Sequence, residues 1–488
     1  MKTRSHRWIA TAAVTASLAA TGTHGWASKQ GTTAIATGTP SPHGFLRRAD
    51  GASSAPTPAS RTGTELMADR ASKDFVTPSR REMLAIAAGG AAGAAGLASS
   101  PPAASALEVL NENQQYALRF PTLFAPLYGT SYRKTIKRSL GRGPDASGEA
   151  STTIWALEQN LELGPLQTPV RCTVVGLKDG GLWVHAPLAP TEEFFELVES
   201  CGSGDRTAVT HVVVPTYALE HKVFVKDALE RWPNAKLWTS PEQFSFPFAT
   251  SEEFVFGRAV SGILGNSREN NGQNTPPWSD EIEYASLRGG TFSIGGKPTT
   301  LCETTFFHKA SKSLIVTDAV ARIPTSVPPL NDPEQLLLIS KRSTSDAMPE
   351  DTPQARLDGW EKTALLVSYF FPEHEEPDPD NAGVVTWTDG WHDNFRALAG
   401  RLIVPPVVRT LIYAQNPGSV QEWVDTVADG RWDFEQIVPA HFEAPIEATP
   451  KDFAGAFRFL KDDRIDAFPK NDLARGLKPI ADIALKRL

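Results

Sequence analysis

The chain has 488 residues, 41% hydrophobic and 21% charged, with 12 Trp and 24 Phe. That composition supplies at least one large core and excludes a globally disordered or collagen-like chain. Residues 1–106 hold 11 Lys+Arg against 5 Asp+Glu, which leaves 37 against 51 and a net −14 for the remainder, so the body lacks the basic footprint that nucleic-acid binding needs.

The first segment reads as an address. Lys2, Arg4 and Arg7 precede an uncharged, mostly apolar run from Trp8 to about Gly22, the layout of a secretory signal. Ser28 to Ser79 is rich in Ser, Thr, Ala and Pro with few acids, as in transit peptides. Arg80-Arg81 then opens a second, Ala/Gly-rich run to Ala98, followed by the small-residue site Ala104-Ser105-Ala106. A twin-arginine pair, a weakly apolar run and an A-x-A site predict a Tat signal. Its position behind a transit-like segment predicts delivery to the thylakoid lumen of a plastid. Residues 1–106 are thus expected to be a cleaved presequence and the mature chain to begin near Leu107. No later apolar run reaches the ~18 residues of a membrane span, so no integral membrane segment is expected in the mature protein.

The body alternates strands and helices. Thr152–Leu163 and Val170–Leu177 read as strands, and Lys178-Asp179-Gly180-Gly181 turns the second into a hairpin with Leu182–His185. Thr191 caps a helix opening with Glu192 and Glu193; His211–Val214 is a buried strand, Glu220–Trp232 a helix and Lys236–Thr239 a strand. Gly, Asn and Pro in 251–280 predict an inserted loop. Further strands follow at Ile282–Leu287, Thr291–Ile294, Thr299–Phe307 and Ser313–Thr317. A Pro/Ser/Asp-rich stretch between Ile323 and Asp358 predicts another loop. Helices are expected at Asn394–Leu402, Ser419–Ala428 and Pro450–Lys461, with a strand at Phe434–Val438. The alternation predicts a layered α/β domain.

Three segments share one pattern, an apolar strand running into a polar turn: Val212–His221, Ser313–Asp318 and Glu435–His441. Loops beyond strand ends converge in layered α/β folds, so Glu220, His221, Asp318 and His441 are candidates to meet. Two imidazoles and two carboxylates suffice for zinc, iron or manganese. Each residue alone also fits a structural role, the His as a hydrogen-bonded core residue and the Asp as a turn former. Cys172, Cys201 and Cys302 form no CxxC pair, and no nucleophile-elbow, H-E-x-x-H, P-loop or dinucleotide motif offers other chemistry.

Several phrases in order, among them TTIWALEQ, PVRCTVVGLKDGGLWVHAPLAPTEE, VTHVVVPTYALEHKVFV, ETTFFHKASKSLIVTDAV and IVPAHFEAPI, resemble a plant, algal and cyanobacterial family without assigned activity, domain of unknown function 4336. More distantly the body resembles the metallo-β-lactamase fold. The resemblance implies a four-layer αββα sandwich over 151–465, preceded by an extension (107–150) and followed by a helical tail (466–488). It also implies that Pro215–His221 stands in place of the fold's T-H-x-H-x-D-H signature. Thr216 and Ala218 then replace two histidines, which dismantles the first metal site, while Glu220, His221, Asp318 and His441 retain the second. Glu303 falls where a further His is expected, His308 is a displaced substitute, and His185 replaces an Asp of the first hairpin.

These readings leave three function classes. The first is a mononuclear hydrolase of a small ester or phosphoester, holding one zinc or iron ion. The second is a non-catalytic lumenal protein that binds or assembles a protein partner, and the third an iron-binding oxidoreductase.

Overall fold

The computed structural model describes residues 134–141, 153–163, 166–202, 208–243, 251–265, 275–294, 297–381, 383–462 and 468–485. The presequence expected over 1–106 lies outside them. A seven-stranded sheet takes its strands in chain order, β1 (Ile136–Ser139), β2 (Ile154–Leu163), β3 (Leu166–Gly176), β4 (Leu182–His185), β5 (Val209–Val214), β6 (Lys236–Thr239) and β7 (Gly262–Ile263). The first four pair antiparallel and the last four parallel. Helices α1 (Glu192–Glu199), α2 (Val225–Arg231) and α3 (Glu252–Phe256) fall between its parallel strands.

The second sheet has five strands in the order β14-β13-β10-β9-β8, from β8 (Ile282–Ile294), β9 (Lys297–His308), β10 (Ser313–Ile315), β13 (Gln436–Val438) and β14 (Ile446–Glu447). β11 (Glu375–Pro377) and β12 (Val385–Trp387) form a separate hairpin. Further helices include α4 (Pro333–Ser340), α5 (Pro353–Tyr369), α6 (Trp391–Leu398), α7 (Pro406–Leu411), α8 (Pro417–Ala428), α9 (Pro450–Ala456) and α10 (Lys478–Leu485).

Side-chain alternation assigns the layers, because neighbours along a strand point to opposite faces. Val212 and Val214 pack with Phe194, Phe195 and Leu229 of the first helices, while Val213 between them packs with Trp183, Trp278, Phe306 and Ile315. On the second sheet Leu314 and Val316 join Trp360, Leu365 and Trp423 of the later helices, while Ile315 faces inward. The molecule is therefore a four-layer αββα sandwich, with an inner core built by both sheets.

Local chemistry explains most elements. Thr191 accepts the Phe194 N–H at the start of α1, and Gly180 adopts φ 91° in the β3–β4 turn, a conformation side chains disfavour. Other segments differ from expectation. His221 N–H donates to the Ala218 carbonyl at 3.4 Å in a single 3-10 turn, Leu219–His221, so the α-helix expected from Glu220 begins only at Val225. Within 251–280, where a loop was expected, Ser251 caps α3 and Gly262–Ile263 extends the first sheet. Ile136–Ser139, ahead of residue 151, adds an edge strand to the same sheet. The Pro/Ser/Asp stretch contains α4, capped by Asp332 on the Glu334 and Gln335 N–H groups. α4 lies so close to α5 that a Cβ at Gly359 would sit 2.0 Å from the Leu336 carbonyl oxygen. No helix among the described residues is long and apolar enough to cross a membrane.

Candidate metal centre

The three strand-end turns do converge. Pro215 ends β5 and leads into the 3-10 turn bearing Glu220 and His221; β10 ends ahead of Asp318; β13 ends ahead of His441. The first turn is tied to the other sheet, because Tyr217 N–H donates to the Cys302 carbonyl at 3.2 Å and Thr304 N–H to the Pro215 carbonyl at 2.7 Å. One donor atom each from Glu220, His221 and His441 lies within 4.8 Å of the others. His221 Nε2 and His441 Nε2 stand 3.2 Å apart. Asp318 Oδ1 lies 3.6 Å from the first and 3.4 Å from the second.

These separations suit an ion. Two donors that each bind one tetrahedral ion at ~2.0–2.1 Å lie about 3.3 Å apart. His441 Nδ1 is 2.9 Å from the Pro169 carbonyl oxygen, which only accepts, so Nδ1 carries the proton and Nε2 turns a lone pair inward. His221 is fully buried and its Nδ1 has no hydrogen-bond partner among the described residues. Burial pulls the His221 pKa down, but Asp318, Glu220 and Glu303 together carry it above its ordinary value. Burial and the neighbouring His221 hold His441 below its own, against the pull of Asp318. Burial raises the Asp318 pKa, yet His221 and His441 bring it below the usual carboxylate range. The set is a proton-sharing cluster in which a divalent cation would take the proton's place.

Glu303 is close but otherwise engaged. Its Oε1 accepts the backbone N–H groups of Thr317, Asp318 and Ala319 at 3.0, 3.2 and 3.1 Å, and its Oε2 accepts the Tyr413 hydroxyl at 3.0 Å. It thereby fixes the turn that presents Asp318. Burial and Asp318 push its pKa up to about 7.

His308 pairs with Ser313 at the opposite end of β10 and its Nδ1 lies 2.7 Å from Ser311 Oγ, so a strand's length separates it from Asp318 and it is no substitute ligand. His185 is buried on the inner face, its ring stacked on Trp183 and edge-on to Phe306. Neither ring nitrogen has a hydrogen-bond partner among the described residues, and burial with the nearby His221 lowers its pKa to about 3. His185 is not among the residues whose donor atoms lie within 4.8 Å of one another. Thr216 Oγ1 accepts the Ala218 N–H at 3.4 Å, a bond within its own turn. Sequence reasoning passed over Arg171, Glu158 and Tyr413. The signal for the first two was a charge at a buried position of each of two apolar strands.

A four-layer αββα sandwich with a His/carboxylate group at converging strand ends is the class that fold and site define. The chain belongs to the family described as Domain of unknown function (DUF4336), whose model matches residues 151–459. A comparison with curated proteins finds no match. Among solved structures, the chain is similar to a metallo-beta-lactamase from Pontibacter korlensis, at 9% identity over 64% of this chain and 97% of that one, TM-score 0.29. It is also similar to one from Hirschia baltica, at 8% identity over 64% and 95%, TM-score 0.29. A diflavin flavoprotein fragment from Nostoc sp. is similar at 9% identity over 68% and 99%, TM-score 0.32.

Proposed function

We propose that the protein holds one divalent ion, zinc or iron, between Glu220, His221, Asp318 and His441, and that it is a mononuclear hydrolase of a small ester or phosphoester. The observation that supports this reading is the triangle of 3.2, 3.4 and 3.6 Å between two imidazole nitrogens and a carboxylate oxygen. When bound, the ion would supply Lewis-acid polarisation of a substrate oxygen, which requires that one of the four residues leave its coordination position open, since four protein ligands on a tetrahedral ion make a closed, structural site. The chain's part is orientation: Pro169 fixes the His441 tautomer, and Glu303 fixes the Asp318 turn. Only one ion is expected, because Thr216 and Ala218 carry no imidazole and Glu303 is consumed by its own hydrogen bonds.

A second reading, a non-catalytic protein that binds or assembles a partner, is favoured by the number of donors: four protein ligands would fill a tetrahedral ion and make its site closed and structural. Metal analysis of protein purified without chelators, with hydrolysis of bis-p-nitrophenyl phosphate and p-nitrophenyl acetate, separates the readings. One equivalent of ion and turnover lost in His441→Ala supports the hydrolase. One equivalent without turnover supports the binding protein, one of redox-active iron an oxidoreductase, and no metal removes the centre.

The place of action is proposed to be the thylakoid lumen, on the strength of Arg80-Arg81 behind transit-like composition. N-terminal sequencing of the protein from isolated thylakoids should begin near Leu107. A mature chain that keeps Arg80-Arg81 contradicts this.

A further inference from the structure

His441 sits in a segment that the opposite sheet grips by its backbone. Arg171 of β3 is 1% exposed and points into the inner layer, where one guanidinium nitrogen donates to the Pro439 carbonyl and the other terminal nitrogen to the Phe442 carbonyl at 2.5 Å. Its Nε donates to Glu158 Oε1 at 2.7 Å, from the residue paired with it across β2 and β3. Arg138 of β1 donates to the same Glu158 oxygen and, at 2.9 Å, to the Ala444 carbonyl. Three carbonyls flanking His441 are therefore held by two guanidinium groups that share one buried carboxylate. Beside them Val170 bridges His441 in the backbone, and the Pro169 carbonyl accepts from its ring.

The segment needs holding. Phe442, directly after His441, has φ 60°, in the left-handed region that a residue with a Cβ occupies at a cost. Its carbonyl is one of the two that Arg171 binds. A buried ion pair alone would require only Glu158, and Arg138 already reaches that carboxylate. The planar fork of Arg171 does more, reaching carbonyls on both sides of the imidazole, which a lysine ammonium cannot span.

We propose that Arg171, oriented by Glu158, is the positioning residue that presents His441 to the ion, an inference that rests on the metal centre proposed above. It touches neither ion nor substrate. Removing the fork lets residues 439–444 relax, and the His441 ring then loses its alignment with Pro169 and with His221 Nε2. Loss of such a supporting contact lowers metal affinity about 10- to 100-fold.

The test uses the full chain, cobalt(II) as probe and two readouts: the cobalt affinity with its visible absorption, and the ¹⁵N imidazole signals of His441 in the metal-free protein. Arg171→Lys is expected to bind cobalt at least ~10-fold more weakly, with an altered absorption band, and to lose the protonated-Nδ1 tautomer. Arg231→Gln, which breaks the remote pair with Glu199, is expected to change neither. Wild-type affinity and an unchanged tautomer in Arg171→Lys overturn the inference. If wild type binds no cobalt, the metal reading fails, and the tautomer alone decides on Arg171: lost in the variant, it stands; kept, it falls. Should Arg171→Lys not fold, Arg138→Gln replaces it, because that side chain is 42% exposed and yet grips the same segment. A smaller shift in the same direction supports the clamp, and none in either readout rejects it.

Discussion

His221 Nε2 and His441 Nε2 face each other at 3.2 Å across 220 positions of chain. No local feature brings them together. The first follows a strand of the seven-stranded sheet and the second a strand of the five-stranded one, so their meeting depends on the two sheets sharing an inner core. Bringing two buried imidazoles nose to nose beside a carboxylate is unfavourable unless a proton or a cation lies between them.

This leads to the first prediction. An ion that binds only the folded state stabilises it by about 2.7 kcal/mol at 100 times its dissociation constant. Chelator should therefore lower the melting temperature of wild type and leave that of His441→Ala unchanged. His211→Ala should retain the ion. It should nonetheless lose about 1–3 kcal/mol, since Trp238 Nε1 then has no acceptor in place of His211 Nδ1, now 3.1 Å away. Calorimetry with and without chelator checks all three proteins; a chelator response retained by His441→Ala would sink the site.

Glu303 gives the second. As a cap on three backbone N–H groups and the Tyr413 hydroxyl, it should tolerate Glu303→Gln, whose amide oxygen still accepts, at a cost near ~1 kcal/mol and with the ion retained. Glu303→Ala leaves all four donors without an acceptor and should lose on the order of 3 kcal/mol or more. A ligand would behave differently. Loss of the ion in Glu303→Gln, measured by elemental analysis, would show that the carboxylate binds metal.

The same residues show how far the sequence reaches. Apolar strands ending in polar turns were legible, and so was the convergence of the turns that carry Glu220, His221, Asp318 and His441, because strand ends converge in any layered α/β fold. A layered α/β domain was legible from the alternation of strands and helices, whereas the four layers were implied only by the family resemblance, because a run such as Val212–Val214 is apolar at every position and does not show which face each residue takes. Helix α5 was not, although Thr352 and Pro353 are a good start signal: it buries Lys362, Thr363 and Ser368 beside Trp360 and Leu365, which blurs its apolar stripe. Lys362 can be buried there because its Nζ donates to the Ser340 and Lys341 carbonyls, at 2.7 and 2.9 Å. The tasks of Glu303 and His308 were equally hidden, since they depend on where along β9 each falls, Glu303 within the strand and His308 at its end, and on a tyrosine 110 residues away.

The third prediction concerns pH. Burial, with Lys236 nearby and Asp179 opposing, lowers the His211 pKa to about 4, and burial with Lys178 nearby lowers that of His308 to about 4. Both lie below the unfolded value of ~6.5. Between about pH 6.5 and 4 the unfolded chain therefore binds protons that the folded chain refuses, so stability falls as pH falls through that window. From pH 7 to 5 the loss should be about 2 kcal/mol per histidine. Urea unfolding at both pH values measures it, and His308→Gln should remove one histidine's share. An equal pH dependence in that variant would mean that His308 does not contribute.

The last prediction tests whether the sheets can stand apart. All seven strands of the first sheet precede residue 264 and all five of the second follow residue 281, so one cut between them separates the sheets in the chain. The inner core crosses that cut: Trp278 packs edge-on against Trp183 and Trp238, with ring centroids 5.8 and 6.0 Å away, and Phe306 lies 5.1 Å from Trp183. Each half alone would expose these rings, and fully burying one side chain of this kind is worth about 1.5–3 kcal/mol. A specific protease site placed at Asn270-Asn271 should therefore give a nicked protein that elutes as one species and separates only in denaturant. The isolated fragments should not refold cooperatively on their own, whereas remixing should restore the native near-ultraviolet circular dichroism of the packed tryptophans. Two fragments that each unfold cooperatively in urea would make the halves independent domains, and the metal centre between their strand ends would then be an interface rather than the rim of one core.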